Sequence, residues 1–143
     1  GAGDEYELIE KEINNKNLNN ITLLSSVNQD EYKQMLSEFD IGLFTLNKNH
    51  KTHNFPGKLL GYMVQKLPIL GSINPDNDLK DVVEEYNAGY VTVNGEDELF
   101  LNNAIKLLDE NHRKNIGNNA NDLLKDKFSV EFSVQQILNK KGE

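Results

Sequence analysis

The sequence predicts a three-layer α/β/α fold built on a parallel sheet and followed by C-terminal helices. Three observations carry this expectation. Short apolar segments containing β-branched residues recur at 21–25, 41–45, 68–71 and 88–93, with helical patterns between them. These segments are apolar throughout instead of alternating, as strands buried on both faces are. They recur at intervals of about 20–30 residues, which leaves room for crossover helices, right-handed by default. The 143 residues suffice for one domain with one core, and no repeat or low-complexity linker divides them.

Each element has a local reason. Gly1-Ala2-Gly3 reads as a turn, and Asp4 caps a helix with apolar residues at Tyr6, Leu8, Ile9 and Ile13. Residues 14–20 form a polar turn, and 21–25 a first buried strand. A second helix starts at 28–31, with Tyr32, Met35, Leu36 and Phe39 on its inner face. After Asp40 comes the strand 41–45, then a polar, partly basic loop over 47–54. Pro56 suits the first position of a third helix over 57–66, because its missing N–H would have no intrahelical partner anyway. A minimal strand at 68–71 precedes a fourth helix, capped within Asp76-Asn77-Asp78 and running to Tyr86. The last strand is 88–93. Beyond Glu96 the pattern is helical to the end. Leu99, Phe100, Ala104, Leu107 and Leu108 form one stripe, and Ile116, Ala120, Leu123, Leu124 and Phe128 the next. Phe132, Val134, Ile137 and Leu138 mark a terminal helix within 130–140.

Composition excludes several functions. With 15 basic and 23 acidic residues the net charge is −8, which argues against nucleic acid and against docking on anionic lipid. Without cysteine there is no disulfide framework, thiolate zinc site or cysteine nucleophile. The three histidines lack helical ligand spacing with a carboxylate, so no metal site is expected. No apolar run approaches the roughly 18–20 residues needed to span a bilayer. No basic n-region with an apolar h-region opens the chain. A cytoplasmic location is expected.

In an open parallel sheet, ligands bind beyond the carboxyl ends of the strands. The loops that qualify are 25–28, 46–55 and 72–77. The second is the longest, and it runs into Thr52-His53-Asn54-Phe55-Pro56-Gly57-Lys58-Leu59-Leu60-Gly61-Tyr62-Met63. Gly57 removes a side chain where a ligand approaches the backbone, and the free N–H groups of a helix N-terminus attract anions. Lys58 sits at the positive end of the helix dipole, which is unfavourable by about 0.3–1 kcal/mol unless an anion compensates. A diphosphate is one such anion; a nearby carboxylate is the structural alternative. His53 offers a donor to a phosphate or a sugar hydroxyl, or is an exposed loop histidine. Phe55 stacks on a ring or acts as a hydrophobic staple before the helix. His50 and His112 have weaker claims, and Glu84-Glu85 and Asp109-Glu110 read as solvated helix faces.

From His53 to Pro68 the sequence resembles the family-4 retaining glycosyltransferases of the GT-B fold, whose C-terminal Rossmann-like domain binds a nucleotide-sugar donor. The resemblance extends in order over nearly the whole chain. Gly1-Ala2-Gly3-Asp4-Glu5 resembles the glycine turn after that domain's second strand. Residues 20–27, followed by Asp30-Glu31-Tyr32, resemble the strand–loop–helix unit whose loop meets the nucleobase. Residues 37–44 are similar to the strand leading into the donor loop. Phe55-Pro56-Gly57-Lys58 with Lys66-Leu67-Pro68-Ile69 resembles the helix and following strand entry. Asn87-Ala88-Gly89-Tyr90 with Val93 resembles the next strand.

The resemblance implies a donor-binding domain of an enzyme that transfers a hexosyl or N-acetylhexosaminyl unit from a nucleoside diphosphate, UDP by preference, to a surface-polysaccharide acceptor. A lipid-linked acceptor at the inner face of the membrane is one form this takes. No cofactor is implied. His53 and Lys58 would serve catalysis, the latter on the leaving diphosphate. Ser26 and Val27 would meet the base, and Asn54, Phe55, Pro56, Gly57, Leu60 and Gly61 would line the donor. Two departures stand out. The family's two glutamates, eight positions apart, are here His53 and Gly61, and Gly61 has no side chain with which to hold ribose. The family's diphosphate-binding Arg and Lys belong to a unit that would precede Gly1, so the chain reads as an N-terminally truncated domain, inactive without an acceptor domain. Its terminal helix would then leave an apolar patch that promotes self-association.

Two other readings compete. A signalling receiver needs a phosphoacceptor Asp after a central strand, but 41–45 ends in Thr45-Leu46-Asn47 and Asp40 lies at the wrong end. A degenerate sugar-nucleotide fold serving as a non-catalytic binding module is the alternative that the replaced glutamates, His53 and Gly61, keep open.

Overall fold

The computed structural model describes residues 6–46, 57–75 and 77–128. The order of elements is α1 (Tyr6–Asn15), α2 (Gln29–Ser37), β1 (Gly42–Thr45), α3 (Gly57–Val64), β2 (Ile69–Ile73), α4 (Leu79–Glu85), β3 (Gly89–Val93), α5 (Asp97–Lys106) and α6 (Glu110–Lys127). The chain divides into two compact units, Gly1–Met35 and Leu36–Glu143.

In the first unit α1 forms where its periodicity predicts. Two residues past its end, Asn17 takes a φ of 51°, which lets Leu18 N–H reach back to the Ile13 carbonyl. Asparagine takes this left-handed position more readily than most residues. Residues 21–25 do not form the expected strand. Ile21 and Leu24 are exposed there, so the apolar run does not serve as a buried strand among the described residues. Asn28 caps α2, its Oδ1 accepting from Glu31 N–H at 2.8 Å.

The second unit holds the sheet. Strands β1, β2 and β3 lie in that order and all pair in parallel, with Gly42 opposite Ile69, Ile69 opposite Gly89 and Ile73 opposite Val93. This is the expected α/β architecture with a parallel sheet, flanked by helices and followed by C-terminal helices. β2 runs to Ile73, two residues past the predicted end, because it is the central strand and both neighbours hold it. The core is made by Leu59 and Met63 of α3, Ile69 and Ile73 of β2, Val83 of α4, Val91 of β3, and Ile116 and Leu123 of α6.

Two predicted stripes differ from the structure. Phe39 lies past the end of α2 and is 45% exposed instead of facing inward. On α5 the inward line is Phe100, Asn103, Ala104 and Leu107, which keeps the 3.6-residue period that Leu99 and Leu108 break. Leu99 and Leu108 are therefore exposed. The α6 stripe is as expected, with Ile116, Ala120, Leu123 and Leu124 buried, and Phe128 is the half-buried C-cap.

Both α3 and α4 end in the same motif as α1. Lys66 (φ 57°) and Asn87 (φ 52°) are left-handed, and Leu67 and Ala88 donate to carbonyls five residues back. At Lys66 α6 comes close: a Cβ built on Gly117 would lie 2.0 Å from the Lys66 carbonyl oxygen. Only glycine fits this crossing.

Candidate functional site

Each βαβ unit carries its helix N-terminus on the carboxyl side of the preceding strand, where parallel sheets bind ligands. The unit β1–α3–β2 puts Gly57 and Lys58 there, both exposed in the first turn of α3. That turn contains no acidic residue. Among the described residues, the ion pairs are Lys16–Glu12 and Lys114–Glu110, neither involving Lys58. The first turn of α3 thus combines two elements of an anion site, an exposed lysine and the N–H groups that every helix N-terminus leaves without an intrahelical partner.

The remainder of α3 faces the other way. Leu60 is 3% exposed and belongs to the core with Leu59 and Met63, so its side chain holds the helix down and does not face a ligand. Gly61 is half-buried, and a Cβ there would lie 3.0 Å from Leu36 Cδ1. Leu36 therefore borders the position at which the resemblance implies a carboxylate. Tyr62 turns its hydroxyl to donate to the Leu43 carbonyl at 2.9 Å, which covers one acceptor of the edge strand β1.

Ser26 and Val27 are exposed in the first unit, in the segment before Asn28 and α2. His53, Asn54, Phe55 and Pro56 lie outside the described residues, as do the turn 1–5, the loop 47–54, Asp76 and the terminal helix placed within 130–140.

At the loop after β2 the structure selects the capping side chain from within the expected Asp76-Asn77-Asp78 run. Asp78 occupies the N-cap of α4 but its side chain makes no capping bond. Asn77 does this instead, its Oδ1 accepting from Leu79 N–H at 2.9 Å while its Nδ2 donates to Asn74 Oδ1 at 3.2 Å. Both asparagines are buried. Asp109, read as part of a solvated face, is the N-cap of α6 and accepts from His112 N–H at 3.0 Å. His112 in turn lies 2.7 Å from the Tyr90 hydroxyl, a structural pairing of α6 with β3.

Sequence reasoning missed one polar group on the carboxyl edge. Asn94, just after β3, reaches Ser72 of β2 and the Leu46 carbonyl after β1. The signal available was Asn94-Gly95 following an apolar run, which reads as a turn and says nothing of where the carboxamide points.

Among the described residues no helix is long and apolar enough to cross a membrane. No curated protein and no solved structure matches the chain. The family model described as "Glycosyl transferases group 1" matches residues 1–123. That match spans both units, including β1–α3–β2 and most of α6. The chain belongs to the group 1 glycosyltransferase family, and its α/β architecture and role in glycosyl transfer follow from that membership.

Proposed function

We propose that the chain is the nucleotide-sugar-binding part of a retaining, GT-B-type glycosyltransferase, and that Gly57 and Lys58 hold the leaving diphosphate. The observation that carries this reading is the exposed first turn of α3, cationic and free of acidic residues, on the carboxyl side of β1 in a group 1 chain. In glycosyl transfer, positive charge develops at the anomeric carbon and negative charge on the departing diphosphate. A site without a metal must stabilise that anion with fixed N–H dipoles and ammonium groups. The N–H groups of α3 are fixed because Leu59, Leu60 and Met63 anchor the helix in the core. His53, Asn54 and Phe55 would face the sugar, and the backbone at Ser26 and Val27 would meet the base. UDP is the preferred donor nucleotide, and a surface polysaccharide under assembly on the cytoplasmic side is the proposed acceptor. An acceptor domain elsewhere in the intact protein would complete the enzyme.

The glycine at 61, where the resemblance implies a ribose-holding carboxylate, supports a second reading, a degenerate sugar-nucleotide fold that binds without catalysis. A Cβ there would meet the end of the Leu36 side chain at 3.0 Å. Turnover of UDP-sugars by the intact protein separates the two.

The direct test of donor binding is a two-dimensional amide NMR titration with UDP, and with GDP as control. The reading expects shifts at residues 26–28 and 57–61 with UDP. Failure of both nucleotides to shift either segment would refute donor binding by this chain.

A further inference from the structure

The sequence holds one Asn-Gly pair, Asn94-Gly95, in the turn after β3. This dipeptide is open to reaction with its own backbone, because glycine has no side chain to hinder approach to its nitrogen. In that reaction the Gly95 nitrogen bonds to Asn94 Cγ and the bond from Cγ to Nδ2 breaks. The Gly95 amide proton leaves with Nδ2 as ammonia. The five-membered imide then takes up one water and opens to aspartate, or to isoaspartate, in which the main chain runs through the side-chain carbons. Gly95 is exposed, and a Cβ there would meet nothing within 4 Å, so the attacking residue is open to water.

The folded chain opposes each part of this chemistry. The leaving nitrogen is engaged twice: Nδ2 donates to Ser72 Oγ at 3.0 Å and to the Leu46 carbonyl at 3.1 Å. This orientation of the amide follows from chemistry, because a carbonyl oxygen only accepts and the nitrogen must face it. The backbone is fixed as well. Asn94 N–H donates to the Ile73 carbonyl at 2.7 Å, Glu96 N–H to the Val93 carbonyl at 3.0 Å, and the Glu96 carboxylate accepts from Val93 N–H at 2.7 Å. Gly95 has a φ of 97° and Asn94 is not left-handed, which is the pattern of a type II turn. Such a turn gives its first central residue a ψ of about +120°. Ring closure on Cγ needs that angle rotated to the opposite sign. Finally, attack on Cγ places negative charge on Oδ1. That oxygen is sealed from solvent and has no hydrogen-bond partner among the described residues. Charge developing there meets neither water nor a donor, the reverse of an oxyanion hole.

We propose that Asn94-Gly95 is a site of spontaneous deamidation that the folded sheet edge holds shut and local opening releases. Opening frees Nδ2, lets ψ rotate and brings water to Oδ1. The product cannot rebuild the edge. An ionised aspartate has no donor for the Leu46 carbonyl, and isoaspartate lengthens the backbone inside the turn. Either product also adds a negative charge next to Glu96, Asp97 and Glu98 in a chain already at −8. Each event is therefore one-way.

The test incubates the whole chain, folded and in urea, at one neutral pH and a temperature well below melting. Peptide mass spectrometry then separates asparagine, aspartate and isoaspartate at position 94. Ser72→Ala removes one acceptor of Nδ2, and Glu96→Ala removes the fastening of the turn; both leave the Asn-Gly pair intact. Gly117→Ala serves as a control that destabilises at the α3–α6 crossing. The folded wild type should react at least about tenfold more slowly than the unfolded chain. Ser72→Ala and Glu96→Ala should each speed the folded reaction about two- to tenfold and leave the unfolded one unchanged. Gly117→Ala should keep the wild-type folded rate. Equal folded and unfolded rates in the wild type overturn the proposal, as does a folded rate unmoved by both edge variants. Equal speeding by Gly117→Ala places the gate in global unfolding and overturns its assignment to the sheet edge. Asn94→Asp, standing for the product, should melt below the wild type; an unchanged melting temperature would refute the lasting loss of the edge.

Discussion

Lys58→Gln should raise stability and lower donor affinity, and the opposite signs are what make it informative. Lys58 is exposed in the first turn of an eight-residue helix with no acidic residue in that turn. A cation there opposes the helix dipole by about 0.3–1 kcal/mol. Glutamine matches lysine in helix propensity, so the charge is nearly the only change. For a chain of this size, about 1 kcal/mol moves the midpoint by roughly 2–4 °C. The expected gain in melting temperature is therefore about 1–4 °C at low salt, shrinking as ionic strength rises. Against a diphosphate the same ammonium makes a charge-assisted hydrogen bond worth about 1.5–3 kcal/mol. Removing it should weaken UDP by roughly 10- to 150-fold. Thermal unfolding and isothermal titration at two salt concentrations measure both effects. An unchanged UDP affinity would sink the assignment of Lys58 to the diphosphate, whatever the melting temperature did. A fall in melting temperature would show instead that the ammonium is compensated within the protein.

Three further outcomes can be checked. Gly117→Ala sets helix propensity against packing: propensity alone favours alanine by about 1 kcal/mol. The Cβ, however, would lie 2.0 Å from the Lys66 oxygen, on backbone that cannot swing aside, and overpacking costs typically 1–3 kcal/mol, occasionally more. The net expectation is a lower melting temperature, whereas the exposed neighbour Asn118→Ala should raise it slightly; a Gly117→Ala midpoint at or above wild type would contradict the close crossing. Gly61→Glu meets only the flexible end of Leu36 at 3.0 Å, so it should fold; calorimetry should then show UDP tightened on the order of tenfold if the carboxylate reaches ribose.

The third outcome concerns pH. The hydrogen bond and charge of Lys114, 3.0 Å away, hold the Glu110 carboxyl below its ordinary 4.5. Its folded value is below its unfolded one, so the contribution to stability is present above the unfolded value and fades as pH falls through the folded one. Both side chains are exposed, so the contribution is small and salt-sensitive. Carbon-detected NMR should find the Glu110 midpoint shifted upward in Lys114→Ala.

How much of this was legible beforehand differs from element to element. Helices α1, α2, α3, α4 and α6 were readable because amphipathic periodicity and capping are local properties. So were β1, β2 and β3, since each is a short apolar run bounded by turn residues. The run at 21–25 had the same appearance but forms no strand and leaves Ile21 and Leu24 exposed, because burial is decided by tertiary packing and not by the composition of the run. The α5 stripe was misread for a related reason. Leu99, Leu101, Ile105 and Leu108 are all apolar enough to be buried, and only the docking of α5 against β2 and β3 selects the line through Phe100, Asn103 and Leu107.

The candidate site divides along the same line. Gly57 and Lys58 were legible because Pro56-Gly57-Lys58 announces a helix N-terminus, and an N-terminus has free N–H groups in any context. From the sequence alone come the α/β class, the cationic first turn of α3 and the absence of thiol chemistry. Only the tertiary structure decided that Leu60 serves the core, that Leu36 fills the space beside Gly61, and that Asn94 spans the ends of β1 and β2. The last two depend on residues 25 and 48 positions apart coming within contact distance. Local propensity fixes which groups a segment offers; long-range packing fixes which of them remain available to a ligand.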